Sequence, residues 1–260
     1  MRIDAHVHAD VSQLTPPPHE YLAHCRDLDI ERVVLIQNAE ETFAACRLLP
    51  DLVIPVPWVD MDVVTPREIH EIIDQGAKGI KFLDPQYSYG DPRYDPLYRA
   101  VAERGKVAVF HTGYIWQGYH PDKTRPTDIT LMRPAAVDCM ARRHPTLRII
   151  MAHFGNPWWE EAWKMLVSNA NIWAELSGGT AYRRSMLLWR ELFAPNGVAD
   201  LVALNKLLFA TDLLDVFRAP RDDIEPYFAF YDGLLDAVSA SQELRERINR
   251  GSALELFGIG

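Results

Sequence analysis

Short apolar runs recur along this chain, separated by longer stretches whose apolar residues fall at helical spacing. The runs are RIDAHVH from Arg2, ERVVLIQ from Glu31, LVIPVPWVD from Leu52, AKGIKFL from Ala77, KVAVFHT from Lys106, LRIIMAHF from Leu147, NIWAELS from Asn171 and KLLFATD from Lys206. Near-continuous apolar runs rich in Val and Ile are what strands buried on both faces require. Strands alternating with helical stretches predict βαβ units and a parallel sheet. Eight such runs predict an α/β fold of the (β/α)8 TIM-barrel type, and 260 residues is the usual size of that barrel. No linker, low-complexity segment or repeat interrupts the pattern, so residues 1–260 read as one domain.

The helical stretches carry their own start signals. Thr65-Pro66-Arg67-Glu68 has the form of a capping box with proline at the first helical position. Asp95-Pro96 reads as an N-cap and its following proline, with Gly105 ending that helix. The stretch from Met132 to Arg143 has helical spacing, and the segment from Asp222 to Phe257 reads as two or three helices closing the outer layer. Pro55 and Pro57 remove donors from the third run, so that strand should be short or irregular.

Composition narrows the partners. The formal net charge is −9, and no cluster of Lys and Arg tracks a phosphate backbone, so nucleic acid is not an expected partner. No apolar run approaches the ~20 residues of a membrane span. The N-terminus MRIDAHVHAD has no apolar leader segment. Cys25, Cys46 and Cys139 are odd in number and lack a CxxC spacing, which points to reduced thiols and a cytoplasmic location. A small-molecule substrate is the expected partner, and the chain could form a homo-oligomer.

Metal-competent side chains stand at the ends of four of these runs. His6 and His8 are two apart on the first and, on a regular strand, point to one face. His111 ends the fifth, His153 the sixth and Asp212 the eighth. In a barrel the reactive residues come from that end of the strands, and neutral imidazoles with a carboxylate suit a divalent cation. Any one of them could be a structural histidine or a helix cap; their joint placement is the signal. Asp4, on the face expected for His6 and His8, could steady a ligand or pair with Lys81.

The pieces IDAHVH, GAKGIKF, VFHTG, MAHFG, LFATD and GSALELFGI, in this order and spread over nearly the whole chain, resemble the amidohydrolase superfamily. The wording is nearest to its amidohydrolase-related branch, which contains aminocarboxymuconate-semialdehyde decarboxylase and many metal-dependent hydrolases. The resemblance implies that His6, His8, His111 and Asp212 ligate one divalent ion, zinc first and manganese second. It implies that His153 lies beside the water or substrate and that Asp212 and His153 are catalytic. Lys81 corresponds to a lysine that binuclear relatives carry carboxylated between two metals; an unmodified lysine and one metal are expected here. Two departures stand out. Ser252 replaces the branch's usual Asn and should touch only helix capping, and Leu213-Leu214-Asp215 replaces the usual continuation after the last strand.

The substrate end of the pocket should come from loops. The long loop after the fifth run carries Tyr114, Trp116, Tyr119, His120, Lys123 and Arg125, and Arg183 and Trp158 lie on neighbouring loops. Lys81, Tyr114, Trp116, Trp158 and Arg183 are the candidate substrate contacts. The expected reaction is hydrolysis of a C–N or C–O bond by a metal-activated water. Non-oxidative decarboxylation of an unsaturated or aromatic acid is the alternative, and a barrel that binds without turnover the third reading.

Overall fold

The computed structural model describes residues 1–14, 18–115, 127–179 and 181–259. Its strands are β1 (Arg2–Val7), β2 (Ile30–Leu35), β3 (Val53–Pro55), β4 (Trp58–Val59), β5 (Gly79–Phe82), β6 (Val107–His111), β7 (Arg148–Ala152), β8 (Ile172–Glu175) and β9 (Leu207–Leu208). All pair in parallel with their chain neighbours, in the orders β1-β2-β3 and β4-β5-β6-β7-β8-β9. Between and after them run α1 (Pro18–Asp27), α2 (Ala39–Leu48), α3 (Pro66–Asp74), α4 (Asp95–Glu103), α5 (Pro134–Arg143), α6 (Trp159–Ser168), α7 (Met186–Phe193), α8 (Leu201–Leu204), α9 (Arg221–Ala237), α10 (Gln242–Glu246) and α11 (Ser252–Phe257).

The gap between the two strand sets lies inside the third run, where proline was expected to disturb the ladder. The backbone still bridges it. Val56 and Trp58 donate to the carbonyls of Leu35 (3.1 Å) and Gln37 (2.8 Å), while the carbonyls of Pro55 and Pro57 accept from Lys78 (2.8 Å) and Lys81 (2.9 Å). The prolines omit donors only on the β5 side, where their carbonyls still serve. The other junction is closed similarly. Ala5 N–H donates to Phe209 (2.9 Å), Asp212 N–H to His6 (2.7 Å) and His8 N–H to Leu213 (2.7 Å). The ring of eight runs is the TIM-barrel pattern.

Two apolar layers follow. An inner cluster contains Ile3, Ala5, Val34, Ile36, Val56, Val107, Val109, Ile150, Ala152, Leu208 and Ala210, with Ala253, Leu256 and Phe257 of α11 packed against it. A larger cluster joins the outward residues, including Val7, Leu35, Phe82, Phe110 and Met151, to the helices. The pairing of β1 with β2 slips between Asp4 and Val7. Ile3 and Ala5 belong to the inner layer but Val7 to the outer, so alternation is interrupted before His6. Asp4 therefore does not share the face of His6 and His8, and it does not pair with Lys81. Its carboxylate accepts from His6 N–H (3.2 Å), Thr211 N–H (3.0 Å) and Thr211 Oγ1 (2.7 Å). Burial pushes that carboxyl up to about 7 against these hydrogen bonds.

Helix starts match the sequence signals unevenly. Thr65 and Glu68 form the expected reciprocal capping box at α3. Asp95 is not an N-cap: Tyr94 stands at that position of α4 without a side-chain capping bond, and Asp95 accepts from Arg143 (2.8 Å) and His144 (2.9 Å). The C-terminal segment forms three helices with a π turn, Arg247–Gly251, before α11. Ser252 follows that turn, buried at the first position of α11, and does not cap it. The three cysteines are unpaired. Among the described residues no helix is long and apolar enough to cross a membrane.

Candidate active site

The ends of β1, β5, β6, β7, β8 and the segment after β9 open into one cavity of about 260 Å³. His6, His8, His111, His153, Asp212 and Lys81 line it together, with Tyr114 and Asn156 as further polar groups. Leu83, Ile115 and Leu214 form its apolar wall. The six strand-end residues named from sequence are thus brought to one place, as a barrel mouth does for residues far apart in the chain.

Hydrogen bonds settle which ring nitrogens face the centre. His6 Nδ1 lies 2.8 Å from Glu175 Oε1, and His8 Nδ1 lies 2.7 Å from the Ile36 carbonyl. Both partners are acceptors, so in each ring Nδ1 donates outward and Nε2 is the nitrogen turned to the centre. Those nitrogens converge on one oxygen: Asp212 Oδ1 is 3.4 Å from His6 Nε2 and 3.1 Å from His8 Nε2. Three lone-pair donors facing each other repel unless a proton or cation lies among them. Burial, then the Lys81 ammonium, pushes the His6 pKa well below its ordinary value; burial and His111 do the same for His153. Neutral imidazoles are the form that binds metal.

Backbone strain is concentrated here. Asp212 has φ 66°, and His153 and Phe154 have φ 63° and 46°, left-handed conformations that non-glycine residues adopt only at a cost. His153 is held by its N–H to Glu175 Oε1 (3.2 Å) and by Nδ1 against Ser177 Oγ (2.9 Å). Its Nδ1 is 4.0 Å from Asp212 Oδ2. The compact donor group among the described residues is His6, His153 and Asp212, with ligand atoms within 4.8 Å of one another. The His111 ring centroid is 4.5 Å from that of His153, and its Nε2 is 3.1 Å from the Tyr114 carbonyl.

Two glycines make room. A Cβ on Gly113 (φ 92°) would lie 2.1 Å from the Asn156 carbonyl oxygen, where the chain after β6 meets the turn after β7. A Cβ on Gly178 (φ 87°) would lie 2.8 Å from His153 Nδ1.

Glu175 escaped the sequence reading. It ends β8 fully buried, accepts from His6 and His153, and receives Ser177 N–H on Oε2 at 2.6 Å. Burial raises its pKa against those bonds. The signal was present: a carboxylate at the end of an apolar run, in the place where His111 and His153 stand in theirs.

The candidate substrate contacts divide. Lys81 and Tyr114 line the cavity, but Trp158 and Arg183 do not. Trp158 lies under the Arg133 guanidinium (4.9 Å) in a separate groove, and Arg183 is exposed over the Tyr182 ring (5.5 Å). Trp116, Tyr119, His120, Lys123 and Arg125 lie outside the described residues. Asp215 pairs with Arg218 at 2.9 Å.

A family model described as Amidohydrolase matches residues 3–259. A sequence comparison with curated proteins gives no match. Solved structures match over the full length. An uncharacterized TIM-barrel protein from Bordetella bronchiseptica has TM-score 0.71 at 18% identity, covering 99% of this chain and 98% of its own. A probable 2-pyrone-4,6-dicarboxylic acid hydrolase from Acinetobacter baumannii, with citric acid bound, has TM-score 0.64 at 16% identity, covering 99% of each. A dihydroxybenzoic acid decarboxylase from a Polaromonas species, with manganese and the inhibitor 2-nitroresorcinol, has TM-score 0.63 at 12% identity, covering 99% and 96%.

Proposed function

Since the chain belongs to the amidohydrolase family, we propose that it is a metal-dependent hydrolase of a C–N or C–O bond in a small organic substrate. The observation that carries this reading is the convergence of His6 Nε2 and His8 Nε2 on Asp212 Oδ1 at the barrel mouth. That donor set fits one divalent ion, zinc by its affinity for imidazole and carboxylate, with manganese the alternative. His6, His8 and Asp212 would hold it, with His111 completing the set. A cation there supplies Lewis acidity, polarising a carbonyl and acidifying water.

The remaining chemistry falls to the side chains. Asp212 Oδ2 lies on the His153 side of the cavity and can take a proton from the attacking water and pass it to the leaving group. His153, fixed by Ser177 and Glu175, faces the same cavity and can donate to a developing oxyanion. Glu175 sets the His6 tautomer, as carboxylates behind ligating histidines do.

One observation favours decarboxylation as a second reading: Lys81 supplies within the cavity the fixed cation that an acid substrate needs. The two differ in product. Esters, lactones and amides screened beside hydroxybenzoates, with carbon dioxide monitored, should yield acid and alcohol or amine without gas. Carbon dioxide that disappears in Asp212→Asn, with no ester, lactone or amide cleaved, would make the protein a decarboxylase.

A further inference from the structure

Lys81 is the one strand-end group whose chemistry the proposed reaction does not use. It lies on β5, in register with Trp58 and Val109, and lines the same cavity as the histidines. The residue is 2% exposed, and its Nζ has no hydrogen-bond partner among the described residues. A buried ammonium with three unspent donors is costly and calls for an anion. The carboxylates that could answer it are engaged elsewhere. Glu175 spends Oε1 on His6 and His153 and Oε2 on Ser177; Asp212 turns Oδ1 to His6 and His8 and Oδ2 toward His153, 4.0 Å away. Burial brings the Lys81 pKa down to about 8, with Glu175 and Asp212 opposing it.

We propose that Lys81 Nζ holds a carboxylate of the substrate, which makes the substrate class a small carboxylic acid bearing an ester, amide or lactone. The size follows from the cavity: about 260 Å³ lies below the ~300–1,000 Å³ of pockets that take drug-sized ligands. Leu83, Ile115 and Leu214 meet the apolar part between the carboxylate and the scissile carbonyl. The position of that carbonyl rests on the hydrolytic reading; the anion subsite does not.

Binding separates the two. Calorimetry with benzoate, butanoate and neutral benzamide would be run on wild type and Lys81→Met, each with and without zinc, with circular dichroism as the folding control. Lys81→Gln serves if the Met variant does not fold. The proposal predicts that both acids bind wild type with or without zinc. Loss of Lys81 should weaken them roughly ten- to hundred-fold, as for a hydrogen bond to a charged group, and leave benzamide unchanged. Failure of either acid to bind wild type, equal affinity in the variants, or equal loss of benzamide would overturn it. So would a carbon dioxide adduct on Lys81 by intact mass, since a carbamate is anionic. Lys81-dependent acid binding without cleavage of any ester, lactone or amide would sink the hydrolytic reading and leave the subsite standing. Cleavage of neutral esters by wild type and variant alike would do the reverse.

Discussion

Asp212 carries several duties within a few ångströms. Its amide ties the last run to His6, its φ is left-handed, and one carboxylate oxygen meets two imidazole nitrogens. Position and type of such a residue are legible in sequence, because a polar residue ending an apolar run needs a reason to be there. Orientation is not legible. That His6 and His8 present Nε2 depends on Glu175 and on the Ile36 carbonyl, both remote in sequence. Glu175→Gln should therefore weaken metal affinity about 10–100-fold, measured by competition with a chromophoric chelator. His153 raises a separate question, since geometry groups it with His6 and Asp212 while resemblance places it beside the substrate. His153→Asn is expected to keep most of the metal and lose ~10²–10⁴-fold in turnover. Metal lost in step with activity would make it a ligand. Gly178→Ala puts a methyl against His153 at a φ of 87°, and should cost about 1–3 kcal/mol in urea unfolding together with activity.

At the scale of elements, the near-continuous apolar runs KVAVFHT and LRIIMAHF become β6 and β7. The third run was expected to be irregular, and it splits into β3 and β4 because proline lacks the donor. β1 was expected to alternate throughout, and it does not. The slip between Asp4 and Val7 turns His6 and His8 inward after Ile3 and Ala5, and nothing in RIDAHVH marks it. Only tertiary contacts, Asp4 with Thr211 among them, select that register. A polar tie also joins the C-terminal π turn to the start of β2. Arg250 Nε and Nη2 meet Glu31 on β2 at 2.6 and 3.1 Å, and that hydrogen bond holds the Glu31 carboxyl below its ordinary pKa. The pair is about one-third exposed, so it contributes only about 0.5–1 kcal/mol. A depressed carboxylate stabilises above its unfolded pKa and loses that contribution as pH falls through its folded value. Glu31→Gln should lower stability by that amount at neutral pH and leave it unchanged once the solution is acid enough to protonate Glu31, measured by urea unfolding across that range.

The whole molecule assembles a site from runs spread between Arg2 and Asp212, which is why spacing along the chain, not any single motif, made it legible. The fold and the polar strand ends came from pattern; Trp158 and Arg183 did not reach the cavity because loop trajectories follow no period. The central claim is that this mouth holds one divalent cation. Protein stripped with chelator and titrated with zinc and with manganese, followed by elemental analysis, measures it directly. The account predicts about one equivalent per chain, with metal raising the unfolding temperature through preferential binding to the folded state. Occupancy should collapse in His6→Ala and Asp212→Ala while both variants stay folded. A wild-type chain that takes up neither metal, or variants that retain it in full, would contradict the account.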